Sequence, residues 1–98
     1  MTEVKKNENK NFNILTNGQV IGHIRLVNRT DISYVKIDED YTGNGHGPRA
    51  LREAIRKLKQ YNEKIHVSTP VDDSLEHVLK SEGFTKDLDR YVLSVRSN

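Results

Sequence analysis

The stretch IDEDYTGNGHGPRALREAI, Ile37 to Ile55, places glycine at positions 43, 45 and 47, follows with Pro48, and continues into a helical pattern. A turn that only reverses a chain needs one or two glycines. Three of them within five residues keep side chains away from a backbone that something must approach. Pro48 suits the first turn of a helix, where its missing N–H is no loss. Leu51, Ala54, Ile55 and Leu58 then recur at helical spacing, which predicts one apolar face on a helix ending near Tyr61–Asn62. A strand that feeds a glycine-rich turn and then a helix makes an anion site. The first helical N–H groups are unpaired, the macrodipole is positive there, and glycine lets a phosphate reach the backbone. The Walker pattern is absent, because no Lys-Ser or Lys-Thr follows Gly47. The dinucleotide fingerprint fails too, since it needs wider spacing and a sheet that is parallel from its start.

The rest of the chain sets limits. Ninety-eight residues allow one domain with a thin core. The absence of cysteine excludes disulfides, thiolate metal sites and a cysteine nucleophile. His23, His46, His66 and His77 lack the pair spacing of a metal site, so no metal is expected. No apolar run reaches membrane-spanning length and the start has no signal-peptide core, which makes the cytoplasm the expected address.

Residues 1–11 are rich in Asn, Lys and Glu and read as a flexible tail, with residues 12–98 as the single domain. Phe12 and Ile14 open a hairpin whose turn is Asn17-Gly18, the favoured pair for a type I′ turn. On its return strand Val20, Gly22, Ile24 and Leu26 share one face, while His23 and Arg25 point outward. A third strand carries Val35 and Ile37 inward. The helix after the glycine loop leads to a strand with Ile65 and Val67 on one face. A strand, helix, strand order makes these two strands parallel neighbours. A second helix starts around Asp73, with Asp73 and Glu76 as a capping box, Leu75, Val78 and Leu79 as its buried stripe, and Gly83 as its stop. Phe84 and RYVLSV supply a last strand or strand pair, with Tyr91, Leu93 and Val95 on its core face. The predicted class is α+β, in the order β-β-β-α-β-α-β, with two helices on a mixed, mostly antiparallel sheet.

VKIDEDYTGNGHGPRAL, Val35 to Leu51, resembles the acyl-CoA-binding motif of the GNAT superfamily of N-acyltransferases. That motif is an inward Val or Ile on a strand, about four residues, then Arg/Gln-x-x-Gly-x-Gly/Ala opening a helix. Ile37 matches the strand residue, Thr42 stands at the Arg/Gln position, and Gly45 and Gly47 are the motif glycines. Gly43 matches a further glycine common there, and Ala50-Leu51 match the usual apolar pair. DDSLEHVLKSEGF resembles the family's later Asn-x-x-Ala…Leu-Tyr-x-x-x-Gly-Phe segment, with Asp72 for Asn, Leu75 for Ala, Val78-Leu79 for Leu-Tyr, and Gly83-Phe84 unchanged. The chain departs from the pattern too. His46 replaces an aliphatic residue, and Leu79 stands where many members carry a tyrosine that reprotonates the departing thiolate. The strand and two helices that usually precede the meander are not expected, which marks a minimal member.

The resemblance implies an enzyme that moves an acetyl group from acetyl-CoA, its cosubstrate, to an amine. The diphosphate would sit on the loop formed by Thr42, Gly43, Asn44, Gly45, His46, Gly47 and Pro48, with Asp72 nearby. Arg49 and Arg52 would reach the 3′-phosphate. Arg56 and Lys59 lie about 10 Å farther along the axis and read as a solvated face. The Ile37 N–H would donate to the thioester oxygen. Asp38 and Glu39 are candidate bases or relays; Ser68 and Thr69 are candidate donors to the acetyl group or thiolate; Tyr91 is a further candidate acid. The acceptor is an amine, with a protein lysine or N-terminus suited to an open site. Two other readings stand beside this one: a CoA-binding module without transfer activity, and a binder of nucleic acid or acidic protein using Arg49, Arg52, Arg56 and Lys59. A net charge of +2 and few aromatics argue against nucleic acid. Monomer and homodimer stay open.

Overall fold

The structure, a computed structural model, describes residues 2–95. Its elements are β1 (Thr2–Lys6), β2 (Phe12–Thr16), β3 (Gln19–Val27), β4 (Asp31–Ile37), a 3-10 turn (Glu39–Tyr41), α1 (His46–Lys59), β5 (Lys64–Val67), α2 (Asp73–Ser81), β6 (Thr85–Asp87) and β7 (Arg90–Ser94). The strands form one sheet in the order β1-β2-β3-β4-β5-β7-β6. Every pair is antiparallel except β4 with β5. This is the mixed α+β architecture that the sequence predicts, with β1 added at one edge and a β6–β7 hairpin at the other.

Residues 2–6 are therefore not a tail. They pair with β2 from Thr2↔Thr16 to Lys6↔Phe12. Thr2 and Val4 are buried, at 8% and 2% exposure, and β1 packs against α1. The alternation of Thr2 and Val4 with Glu3 and Lys5 is the strand signal, and the polar composition around it masks it. The strand expected to be missing before the meander is thus present. Only Asn7–Asn11 separate it from β2, so no helix intervenes.

The first hairpin turns as its sequence requires, with Asn17 at φ 50° and Gly18 at φ 80°. Just beyond it the register steps from Ile14↔Gly22 to Leu15↔Val20, which leaves Ile21 unopposed in a β-bulge. The bulge shifts the inward set by one residue. Ile21 is fully buried, and Val20, expected inside, is 49% exposed. Val4, Phe12, Ile14, Ile24, Ile32, Ile65, Val67 and Tyr91 are buried on the face that carries α1 and α2. Lys5, His23, Arg25, Tyr34, Lys36 and Lys64 occupy the opposite face, which no helix covers among the described residues.

The apolar face of α1 buries Ala50, Leu51, Ala54, Ile55 and Leu58, as its spacing predicts. α2 ends in a Schellman motif: Gly83, at φ 94°, donates its N–H to the Lys80 carbonyl, and Phe84 donates to Leu79. Its start differs from the expected capping box. Asp72, not Asp73, is the cap, and Glu76 instead accepts a hydrogen bond from the Tyr91 hydroxyl. That contact lowers the Glu76 pKa and raises that of Tyr91. Arg52, Arg56 and Lys59 do not form a free basic face, because all three lean toward Glu82 at 3.6–4.0 Å.

Gly22 holds the end of β4 in place. A Cβ there would lie 2.2 Å from the Lys36 carbonyl oxygen, closer than real Cβ atoms come, and a tight 3.0 Å from the Ile37 Cα. Gly22→Ala should therefore push β4 off β3 and cost about 1–3 kcal/mol of stability, read by chemical denaturation. An unchanged denaturation midpoint would show that β3 and β4 are not in this contact.

Candidate functional site

β4 and β5 share only two rungs, Asp31↔His66 and Ile32↔Val67. Two features then part them. On β4 the register steps from Arg25↔Tyr34 to Leu26↔Ile32, so Ser33 is an extra residue, and a bulge bends its strand. On the other side the chain turns away: the N–H groups of Ser68 and Thr69 both donate to the Ile32 carbonyl, and Pro70 follows, which no strand interior accepts. From Ser33 to Ile37, about 16 Å of strand, β4 is left with one open edge. The Asp38 N–H donates to the Ile21 carbonyl on the β3 side. Alternation along the strand therefore turns the N–H groups of Val35 and Ile37 toward the open edge.

The end of this edge leads into a cavity of about 480 Å³. Val35 and Ile37 form one wall, the loop from Tyr41 to Pro48 forms the rim, and Asp72, Ser74 and Leu75 at the start of α2 close the far side. The two helices run side by side, with Gly47 near Leu75 at one end and Arg52 against Ser81 at the other. Both N-termini thus face the same space.

The two termini differ in one respect. At α2, Asp72 accepts hydrogen bonds from the Leu75 N–H at 2.9 Å and the Ser74 hydroxyl at 2.7 Å. These bonds, the Leu75 one first, hold its carboxyl below the usual range. At α1 the cap is Gly45, which has no side chain to bond back. Among the described residues, no amide from Gly43 to Gly47 donates to a protein acceptor. Gly43 and Gly45 take φ of 82° and 78°, the left-handed region that strains other residues. Gly47 has ordinary helical backbone, and a Cβ there would stand 3.9 Å from Ile37 and 4.0 Å from Leu75, across the cavity. The first two glycines shape the loop, and the third leaves the cavity clear.

Not every residue singled out from the sequence reaches this space. Ile37, Thr42, Gly43, Gly45, His46, Gly47, Pro48 and Asp72 line it. Asn44 belongs to the same loop, and its carbonyl accepts from Arg49. Arg49 crosses the loop beside Gly45. Arg52 turns away, to Ser81 Oγ at 3.2 Å and Glu82 at 4.0 Å, because its place on α1 faces α2. Asp38 follows the inward Ile37, so it points to the other face, into a groove with His23 and Arg25. Glu39 is exposed, and its carbonyl holds Thr42 through both N–H and hydroxyl. Ser68 donates to Asp31 at 2.8 Å, and the buried Thr69 hydroxyl faces the Pro70 carbonyl. None of these last four lines the cavity. The Tyr91 hydroxyl is taken by Glu76.

Sequence reasoning assigned no role here to Tyr41, Ser74 or Thr2. Tyr41 is an aromatic just before the glycines, and Ser74 follows the cap by two residues; both patterns were available. Thr2 was hidden by the tail assignment. A larger cavity, about 550 Å³, lies at the far end of α1 between Lys6, Phe12, Arg29, Lys57, Leu58, Gln60, Tyr61 and Asn62. It sits at the C-terminal end of α1, and no helix start lines it.

A sequence model described as an acetyltransferase (GNAT) domain matches residues 1–92. The chain belongs to the GNAT acetyltransferase family. A GNAT family acetyltransferase from Brucella melitensis, solved in complex with acetyl-CoA, superposes with a TM-score of 0.63 at 17% identity. The match covers 90% of this chain and 59% of that one, so the chain spans little more than half the length of that enzyme. No curated protein matches.

Asp72 is at the rim, yet its Oδ1 accepts both hydrogen bonds from its own helix. Asp72→Ala should cost about 1 kcal/mol of stability at neutral pH. Because the folded carboxyl titrates below its unfolded value, the cap acts fully above the ordinary carboxylate range and is lost as pH falls through the depressed folded value. Melting temperatures of variant and parent, separated at neutral pH, should converge in acid. A gap that persists in strong acid would show that the cap is not the cause.

Proposed function

We propose that this chain is an acetyl-CoA-dependent N-acetyltransferase, with the coenzyme's diphosphate on the Gly43–Gly47 amides and its pantetheine arm along the open edge of β4. The observation that carries the reading is the run of unpaired amides at the uncapped start of α1, continuous with the unpaired edge from Ser33 to Ile37. A diphosphate is the ligand such amides suit. An extended arm with amide groups is what an open strand edge accepts, in the manner of an added strand. The N–H groups of Ile37, nearest the loop, and Val35, farther along the edge, are the donors open to the arm's carbonyls and to the developing negative charge of the thioester oxygen. In the transfer the amine nitrogen bonds to the acetyl carbon, the carbon–sulfur bond breaks, and coenzyme A leaves as a thiolate that takes a proton from water. The amine proton passes to water, since neither Asp38 nor Glu39 faces the cavity.

The acceptor is a protein amine, a lysine side chain or an N-terminus. The support is the uncovered sheet face with its exposed Tyr34 and Lys36, which leaves room for a macromolecule. A second reading, coenzyme binding without transfer, is favoured by one observation: Leu79 is fully buried at the position where the family motif carries tyrosine.

Gly47 offers a cleaner test than the left-handed glycines. Its backbone is unstrained, and an acid in the first turn favours the helix. Gly47→Glu should keep the fold and raise the calorimetric Kd for CoA at least about tenfold, by placing a carboxylate where the diphosphate sits. Undiminished affinity would remove the site. Radiolabelled acetyl-CoA incubated with lysine-bearing and free-N-terminus peptides should yield labelled peptide with the parent protein and far less with the variant. Tight CoA binding with no labelled product would instead establish the second reading.

A further inference from the structure

The hydroxyl of Thr2 lies 3.0 Å from Nδ1 of His46, joining the first described residue of β1 to the first residue of α1. Thr2 is 8% exposed, and the neighbouring Val4 is 2% exposed, so burial keeps β1 against α1 whether or not this bond forms. The His46 ring also meets the Tyr41 ring edge-on, with centroids 6.3 Å apart. The imidazole is thus fixed on two sides, and it lines the cavity beside the unpaired amides.

An imidazole has two nitrogens, and the partner of one decides the role of the other. When the Thr2 hydroxyl donates to Nδ1, the neutral ring carries its proton on Nε2. When the ring is an imidazolium, Nδ1 donates to the Thr2 oxygen and Nε2 still carries a proton. In both states Nε2 is a donor, matching the N–H groups around it. The remaining arrangement, Nδ1–H donating from a neutral ring, would place an acceptor among donors that await an anion.

We infer that Thr2 positions His46 so that its Nε2–H donates to a phosphate oxygen of the bound coenzyme, which makes the N-terminal strand part of the coenzyme site. This rests on the reading that the cavity takes CoA. Thr2 is the positioning residue, and His46 is the binding residue. The carboxylate at the opposite rim, Asp72, is engaged by Leu75 and Ser74 and does not compete for the ring among the described contacts.

Three variants and two ligands test this. Thr2→Val keeps strand propensity and shape but removes the hydroxyl. Thr2→Ser restores the hydroxyl, and His46→Leu removes the ring nitrogens. CoA and pantetheine, which lacks the diphosphate, are titrated into each. Affinity for CoA should fall about tenfold in His46→Leu and severalfold in Thr2→Val, and return toward the parent value in Thr2→Ser. Affinity for pantetheine should be unchanged in all three. Long-range proton–nitrogen NMR of the parent should show a protonated Nε2 whose resonance moves with CoA and not with pantetheine. Equal CoA affinity across the variants, a Thr2→Ser protein as weak as Thr2→Val, or an Nε2 indifferent to CoA would each overturn the inference. If Gly47→Glu weakens CoA while His46→Leu does not, the cavity reading survives and this inference falls. If neither variant weakens CoA, the cavity reading itself is lost.

Discussion

The parting of β4 from β5 after a single pair of rungs is the constraint from which the site follows. Hydrogen-bond accounting makes such a parting costly, because the residues past Ile32 that alternate away from β3, Val35 and Ile37, face an edge with no partner strand. The chain enforces it from both flanks. The extra residue Ser33 bends β4, and its hydroxyl donates to the Arg25 carbonyl across the bulge. Pro70 prevents β5 from continuing. Gly22 lets β3 press close against the far side of β4, so that Ile37 is held firmly from one direction and open in the other. Two devices, the Ser33 bulge and the turn into Pro70, keep one edge of β4 open, while Gly22 fixes the other.

The two helix starts show how local sequence divides a shared electrostatic resource. Both macrodipoles bring partial positive charge to one cavity. Asp72 consumes that of α2 by capping it, and its lowered pKa reflects the hydrogen bonds from Leu75 and Ser74. Gly45 leaves that of α1 unspent. Between the far ends of the helices, Glu82 draws in Arg52, Arg56 and Lys59, which fixes the two helices relative to each other. These cations link the two helices and do not line the cavity between their N-termini.

Much of this was legible in the sequence where a local rule governs. Asn17-Gly18 fixed a hairpin, Leu51 to Leu58 a helix face, Gly83 a helix stop, and the glycine loop an uncapped helix start. What escaped depends on partners distant in the chain. Ile21 replaces Val20 in the core because a bulge changes register, and register is set by the neighbouring strand. β1 carries only two inward residues among charged neighbours, and its burial exists because α1 lies over it. Asp38 and Glu39 looked close to the chemistry in sequence, yet Asp38 alternates to the opposite face and Glu39 enters an exposed turn. Ser68 is a candidate donor to the acetyl group or thiolate by sequence, and the acceptor that takes its hydroxyl, Asp31, lies 37 residues away.

The central claim is that the amides of the glycine loop and the open edge of β4 act together on one ligand. Backbone amide NMR during a CoA titration reads this directly. The account predicts that Gly43, Asn44, Gly45, His46 and Gly47 shift together with Val35 and Ile37, along a single saturating curve. Saturable CoA binding that leaves these resonances still, and moves instead those around Lys57 to Asn62 at the opposite end of α1, would contradict it.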